Sequence, residues 1–415
     1  MKRYIPYIAA LLFATQLSAQ HHIRLWQNGT SDKISIADAS RITFTPGEMT
    51  CGGTTYRLTD VDSIIVVPEI TVRYDGATAS VSIPPSIEKD VTATINGADV
   101  TLTNTNTSNE IEVILTGSSD DGSLTYNGDY KATLIVDALS LNSNKGAPLN
   151  IQCGKRISLE LRDGTTNTLS DAASGLQKGC LYCKGHLEIE GHGTLNITAN
   201  TRHGISTKEY LQLKKSTGTI NILRAQSDAI HCGQYFQMNG GSVNIDANTL
   251  GDGIQVEYVT LDDDITLDPT KENNGQIFIK GGTIRATINS QDCKGIKADA
   301  DITISGGDIA ITAQGNGSRG IQSNGSMTIG TEDSPTTINI TAAGGKCTLP
   351  ECAADPHRCV GIKLDRDLTI NAGNITIANT GSKSKGIKID GTYRKHRTNA
   401  TVSATVDAAQ TIIFD

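Results

Sequence analysis

The chain has 415 residues, 37% of them hydrophobic, enough for one extended core and a small additional module. Its 42 glycines against 5 Phe and 1 Trp fit a fold with many tight turns, where positive φ is needed. A net charge of −8 argues against a nucleic-acid partner.

Residues 1–19 read as a signal peptide, with Lys2 and Arg3, an apolar run from Ile8 to Phe13, and Leu17-Ser18-Ala19 before Gln20. The run is too short to span a membrane. No cysteine lies near the cleavage point, so a bacterial lipid anchor is not indicated. The expectation is an exported protein without a transmembrane segment: secreted, periplasmic or held at the cell surface.

Residues 20–69 hold two related half-units, Ile34 to Phe44 and Tyr56 to Val66. Each reads strand, Asp-containing turn, strand, so we expect a small N-terminal β module. Residues 70–130 are a strand-rich lead-in, punctuated by Pro84 and Pro85. Gly117 to Gly122 reads as a turn, and its Asp120-Asp121 pair as turn residues rather than a calcium site.

Residues 131–390 repeat. Lines open at Lys178-Gly179-Cys180, His203-Gly204-Ile205, Asp228-Ala229-Ile230, Asp252-Gly253-Ile254, Lys294-Gly295-Ile296, Arg319-Gly320-Ile321, Val360-Gly361-Ile362 and Lys385-Gly386-Ile387. The steps are 25, 25, 24, 42, 25, 41 and 25 residues, so the two long ones are one coil plus an insertion. The insertions run from Leu261 to Asn274 and from Ala343 to Arg358. Each line carries alternating apolar residues, as in Gly193-Thr194-Leu195-Asn196-Ile197, which is a strand pattern. A fixed period of this size signals stacked repeats, and 25 residues is too few for a propeller blade of roughly 40 or more. The predicted fold is all-β: a single-stranded parallel β-helix of 25-residue coils, with rungs about 4.8 Å apart. Residues 391–415 are expected to supply C-terminal strands covering the solenoid end.

The nine cysteines do not read as a disulfide framework. Cys153, Cys183, Thr207 and Cys232 each lie four residues before Ile157, Leu187, Leu211 and Phe236, which predicts an inward column of small side chains. Cys180-Leu181-Tyr182-Cys183 has no second pair at zinc spacing. Cys347, Cys352 and Cys359 lie in or beside the second insertion, where a disulfide is plausible.

Several motifs are distinctive together: Cys153-Gly154-Lys155-Arg156, Gly164-Thr165-Thr166-Asn167, Lys178 to Gly185, Ser227 to Cys232, and the recurring Gly-Ile-Lys-x-Asp. They resemble a family of secreted bacterial carbohydrate-binding β-helix proteins, related in shape to polysaccharide lyases. The resemblance spans roughly residues 70–400 and leaves out the N-terminal module. It implies a right-handed parallel β-helix, binding of cellulose or acidic sugars, and calcium in a structural role. It assigns no individual calcium ligand.

Read as columns, the repeat suggests sites. In Gly-Ile-x the Ile should face in and the next residue out. The outer column is then Gln255, Lys297, Gln322, Lys363 and Lys388, flanked by Glu257, Asp299, Asn324, Asp365 and Asp390. Such a stripe is either a solvated face of balanced charge or a polar groove, its lysines meeting uronates and its carboxylates sharing calcium. His203, Asp228 and Asp252 form another column, with His231 and Gln255 three residues on; it reads as turn chemistry or as a ligand and metal site. Tyr210 and Tyr235 occupy matching places, with Tyr258 on the next coil, and offer flat faces to sugar rings. The function these columns favour is non-catalytic polysaccharide binding, stabilised by calcium. A cell-surface scaffold or adhesin is one alternative. A lyase or glycoside hydrolase is the other, although Gly191-His192-Gly193 lacks the partner motifs such an enzyme would show.

Overall fold

The computed structural model describes residues 21–415, apart from 28–29, 36–37, 39–40, 263–264, 332 and 335. The signal peptide expected at 1–19 lies outside the described residues. The chain is all-β: a 36-stranded, mostly parallel sheet and a separate antiparallel sheet of Thr43–Thr45, Glu48–Cys51 and Thr54–Arg57. Among the described residues no helix is long and apolar enough to cross a membrane.

At the N-terminus, His21–Gln27 pairs antiparallel with Thr30–Ser35 and with the first half of the 15-residue strand Val61–Asp75. Ile23, Leu25, Ile34, Met49 and Tyr56 form a core of their own here. The second half of Val61–Asp75 pairs in parallel with Ile111–Ser119, so one continuous strand joins this module to the large stack. A buried carboxylate sits at the joint. Glu112 accepts from Arg24 Nε at 2.9 Å and Lys33 Nζ at 2.7 Å, and lies 3.0 Å from His22 Nε2. Burial alone would raise its pKa, but His22, Arg24 and Lys33 together hold it at about 2.

Beyond the joint, the parallel pairing falls into three ladders. The first joins Gly179–Cys183, His203–Thr207, Ile230–Cys232, Ile254–Val256, Lys294–Ala298, Arg319–Ser323, Val360–Leu364 and Lys385–His396. In it Ile205, Ile230, Ile254, Ile296, Ile321, Ile362 and Ile387 stand opposite one another in turn. Both long steps therefore leave the register intact. A second ladder stacks Ile157, Leu187, Leu211, Phe236, Ile277 and Ile302, and a third stacks Leu195, Ile220, Val243, Ile284 and Ile309. All these side chains belong to one continuous buried core. On the outer side of the third ladder, the Asn196, Asn221 and Asn244 amides bond to one another at 2.8 and 2.9 Å. Gly191 shows why glycine opens the third-ladder segment: its φ is +83°, and a Cβ there would lie 2.2 Å from the Leu161 carbonyl oxygen.

Three details depart from the expected layout. Parallel pairing begins before Lys131, since Gly122–Gly128 already pairs with Ala98–Asn104. The segment expected to turn from Gly117 is strand as far as Ser119. Cys153 does not share the inward column, because Ile151 is the residue opposite Cys183; Cys183, Thr207 and Cys232 do follow one another. At the C-terminus, Val406–Phe414 pairs in parallel with Lys385–His396 and so extends the first and second ladders.

The joint generates a prediction. Glu112→Gln leaves three basic groups without their buried counter-charge, which costs on the order of 3–5 kcal/mol locally. Hydrogen exchange of the His21–Gln27 amides should then rise while the Ile205–Ile254 ladder stays protected. Because Glu112 is depressed in the folded chain, its contribution is present above the ordinary carboxylate range and is lost as pH falls toward 2. The unmodified chain should therefore show the same selective exchange in strong acid.

Candidate functional site

One outward column of the second ladder concentrates rings and cations. Ala132, Ile157, Leu187, Leu211 and Phe236 face in, each opposite the next. The residue just before each of them is Lys131, Arg156, His186, Tyr210 and Tyr235. The register therefore builds a single file along the stack, rising about 4.8 Å per step. His186 stacks on Tyr210 with centroids 4.4 Å apart and rings 9° from parallel, and Tyr210 stacks on Tyr235 at 4.7 Å and 18°. Phe278 closes the series edge-on to Tyr235, at 6.3 Å and 80°. Tyr258 is not part of it. It leaves the ladder at the first insertion, where its amide donates to Asp299 Oδ2 and its ring lies over Gly275.

The file lines a cleft of ≈ 550 Å³ with Lys155, Glu209, Gln234 and Lys271 around it. Two carboxylates hold its parts in place. Glu188 is buried and accepts from the Tyr210 hydroxyl at 3.2 Å, Arg156 Nη1 at 3.2 Å and Lys214 Nζ at 2.8 Å. Glu209 bonds His186 Nε2 and accepts from Lys271 Nζ at 2.7 Å; the His186 bond and Lys271 lower its pKa to about 2. Burial and the nearby Glu188 charge push the Tyr210 phenol well above its usual range, so it remains a hydroxyl donor. Arg156 and Lys271 are thus charge-balanced. Among the described residues no carboxylate ion pair involves the side chains of Lys131 or Lys155; together they outnumber Glu272, the unpaired carboxylate that also lines the cleft, and leave it a positive excess. His186 and Arg156 were missed in the sequence, although both stand immediately before an inward apolar residue, as Tyr210 and Tyr235 do.

The register brings the expected outer column together: His231, Gln255, Lys297, Gln322, Lys363 and Lys388 are successive partners in the first ladder. One of its lysines is paired within the stripe. Lys363 Nζ lies 2.5 Å from Asp365 and 3.9 Å from Asp390. Gln255 is only 8% exposed and donates to Glu257, so it has no free face for a glycan.

His203, Asp228 and Asp252 do a backbone task. Each accepts the amide of its counterpart one repeat on: Asp228 N–H to His203 Nδ1 at 3.3 Å, Asp252 N–H to Asp228 Oδ1 at 2.9 Å, and Lys294 N–H to Asp252 Oδ1 at 2.7 Å. Lys294 has no acceptor, so the series stops there. His203 is 3% exposed and cannot meet a glycan. His203, Asp228 and His231 bring three ligand atoms within 4.8 Å of one another, but the set does not suit calcium. Calcium takes six to eight oxygens, and two of these three atoms are imidazole nitrogens. Both Nδ1 atoms also lie against the same Asp228 Oδ2, at 3.2 and 3.1 Å, so the carboxylate already engages the two rings.

Burial raises the Asp252 carboxyl to about 6, with Asp228 adding to the effect. Between the ordinary Asp range and pH 6 the folded chain holds this proton and the unfolded chain does not, so stability falls as pH rises through that window. Asp252→Asn keeps the acceptor without the charge. It should stabilise the chain at pH 7 by roughly 1–3 kcal/mol and flatten the pH 4–6 slope of the thermal midpoint.

A family model for carbohydrate-binding domain-containing proteins matches residues 96–408. A protein of Acetivibrio thermocellus described as carbohydrate-binding domain-containing is 28% identical over 116 residues, which is 26% of this chain and 40% of that one. The chain thus spans less than half the length of this curated relative. The solved structure of the polysaccharide lyase-like protein from C. thermocellum, a gadolinium derivative, aligns with a TM-score of 0.51 at 20% identity. That alignment covers 65% of this chain and 99% of the other, and it supports the all-β, mostly parallel architecture. With three quarters of its length inside the family match, the chain belongs to the carbohydrate-binding domain-containing proteins.

Proposed function

We propose that the chain binds a polysaccharide, without cleaving it, along the cleft of Tyr210 and Tyr235. The single observation that carries this reading is the file of two phenol rings, an imidazole and two cations at rung spacing beside a cleft. Because the rings stack on one another their faces are taken, contrary to the flat platform expected from the sequence, and it is their edges and phenol hydroxyls that meet a sugar, the hydroxyls bonding its oxygens. The positive excess from Lys131 and Lys155 favours an acidic glycan, whose uronates meet those cations. The file follows the stack axis, so an extended glycan lies along it, with successive sugars on successive rungs.

The three ladders suit a right-handed parallel β-helix, the hand that parallel crossovers strongly prefer. The basic and apolar pattern of residues 2–19 supports export, to the medium, the periplasm or the cell surface. Calcium fits best beside Glu257 and Asp299. Burial and the Glu257 charge raise Asp299, and a cation there would relieve that crowding.

Titration of polyuronate and neutral β-glucan chains into the protein, with and without a chelator, tests these points. Polyuronate should bind more tightly. Tyr210→Ala with Tyr235→Ala removes two rings worth about 0.5–1.5 kcal/mol each, a loss of roughly tenfold or more in affinity with the fold retained. Lys131→Glu with Lys155→Glu should abolish the preference for polyuronate. Unchanged affinity in both variants removes the glycan from this cleft. Indifference to the chelator removes calcium, and release of unsaturated uronates, seen as ultraviolet absorbance, would make the protein an enzyme.

A further inference from the structure

The long step between Ile321 and Ile362 carries chemistry that glycan binding does not use. A bridge between Lys346 and Arg358 closes this insertion, and the Cys347 amide donates to the His357 carbonyl at 2.9 Å. Within it Cys347 and Cys352 form a disulfide, and both are buried. His357 Nε2 lies 3.9 Å from Cys352 Sγ and 2.9 Å from Asp292 Oδ1. Asp292 lies two repeats earlier, just before Lys294. The Thr348 hydroxyl and amide fasten the insertion there through Gln291 Oε1, at 2.8 and 3.0 Å.

We propose that Cys347, Cys352, His357 and Asp292 form a thiol-gated site for a zinc-type divalent ion, closed as the disulfide and open as the dithiol. Three features point to a metal. First, His357 Nδ1 lies 2.8 Å from the Asp355 carbonyl, which only accepts, so Nδ1 carries a proton. Nε2 points at Asp292 Oδ1, 2.9 Å away and likewise only an acceptor, so it donates there in the closed site; an ion that displaces this proton takes Nε2 as a ligand while Nδ1 goes on donating to the Asp355 carbonyl, the usual arrangement of a metal-ligating histidine. Second, one ligand atom each from Cys347, Cys352 and His357 lies within 4.8 Å of the other two. Metal–sulfur bonds of about 2.3 Å and metal–nitrogen bonds of about 2.0 Å need only a small opening of that set. Third, the space is kept by a glycine. A Cβ on Gly317 would lie 2.6 Å from Cys347 Cβ and 3.0 Å from His357 Nε2, and its φ of +73° suits glycine. Two thiolates and an imidazole make a three-ligand soft set, which Asp292 beside His357 can complete on opening, and Arg319 and Lys294 around Asp292 offset its negative charge.

Opening requires a reductant, a thiol or a phosphine. It supplies two electrons, the S–S bond breaks, and each sulfur takes one proton. The divalent ion then displaces those two protons and the Nε2 proton of His357 as two metal–thiolate bonds and one metal–nitrogen bond form.

Cobalt(II) added to the full chain, before and after treatment with a water-soluble phosphine, tests this. The reduced chain should take up one ion with thiolate-to-cobalt absorption in the near ultraviolet and tetrahedral bands in the visible. The oxidised chain should not. His357→Ala, which leaves the disulfide free to form, should weaken uptake at least tenfold. Cys347→Ser with Cys352→Ser should abolish it while the seven other cysteines remain. Circular dichroism confirms that each variant is folded. Equal uptake by the oxidised chain or by the double serine variant would overturn the proposal, as would no uptake after reduction. Glycan affinity should be the same in the oxidised chain and the double serine variant, so this proposal and the glycan cleft stand or fall separately.

Discussion

The large parallel stack depends on one constraint: each inward residue must rest on its equivalent in the previous repeat. In a parallel ladder, side chains alternate between faces, so a slip of one residue would send the whole apolar set to solvent. The register from Ile205 to Ile387 shows no slip, even though two of its steps contain an additional loop. The loops are expelled because the ladder tolerates length outside its strands and not within them. Close backbone stacking has a second consequence, seen at Gly191, where the next carbonyl occupies the space a side chain would take.

The same register decides what the outside can do. Whatever residue type recurs at an outward position becomes a column at a spacing of about 4.8 Å. Rings at that spacing stack, so Tyr210, Tyr235 and His186 gain by being in file. Like charges at that spacing repel, and the chain meets this in two ways. Lys363 lies between Asp365 and Asp390. Asp228 and Asp252 are turned onto backbone amides of the next repeat, with the His231 ring bonded to Asp228. The ring-lined cleft and the amide-capping series are thus two outcomes of one geometry, one with the side chains facing outward and one with them folded into the turns.

Where the register does not reach, local chemistry takes over. The N-terminal strands run antiparallel and meet the stack through buried Glu112 and its basic partners. The second insertion is held by a disulfide and by contacts to the Asp292 loop. Neither segment can rely on stacked isoleucines, so each is fastened by charge or sulfur.

How much was legible follows from this division. The period, the inward isoleucines and the outward order Gln255, Lys297, Gln322, Lys363 and Lys388 could be read directly, because in a parallel stack sequence spacing is spatial position. The Tyr210–Tyr235 pair was legible for the same reason. Distances that cross between loops were not. Nothing in the spacing shows that Tyr258 lies over Gly275, that His203 is buried under Asp228, that Gln255 is covered, or that Asp292 meets His357 across 65 residues. The sequence by itself determined the repeat and its columns, through alternation and a fixed step. Only the tertiary structure decided which columns open onto a cleft and which turn inward to cap amides, because that depends on burial by neighbouring loops, for which the chain has no periodic signal.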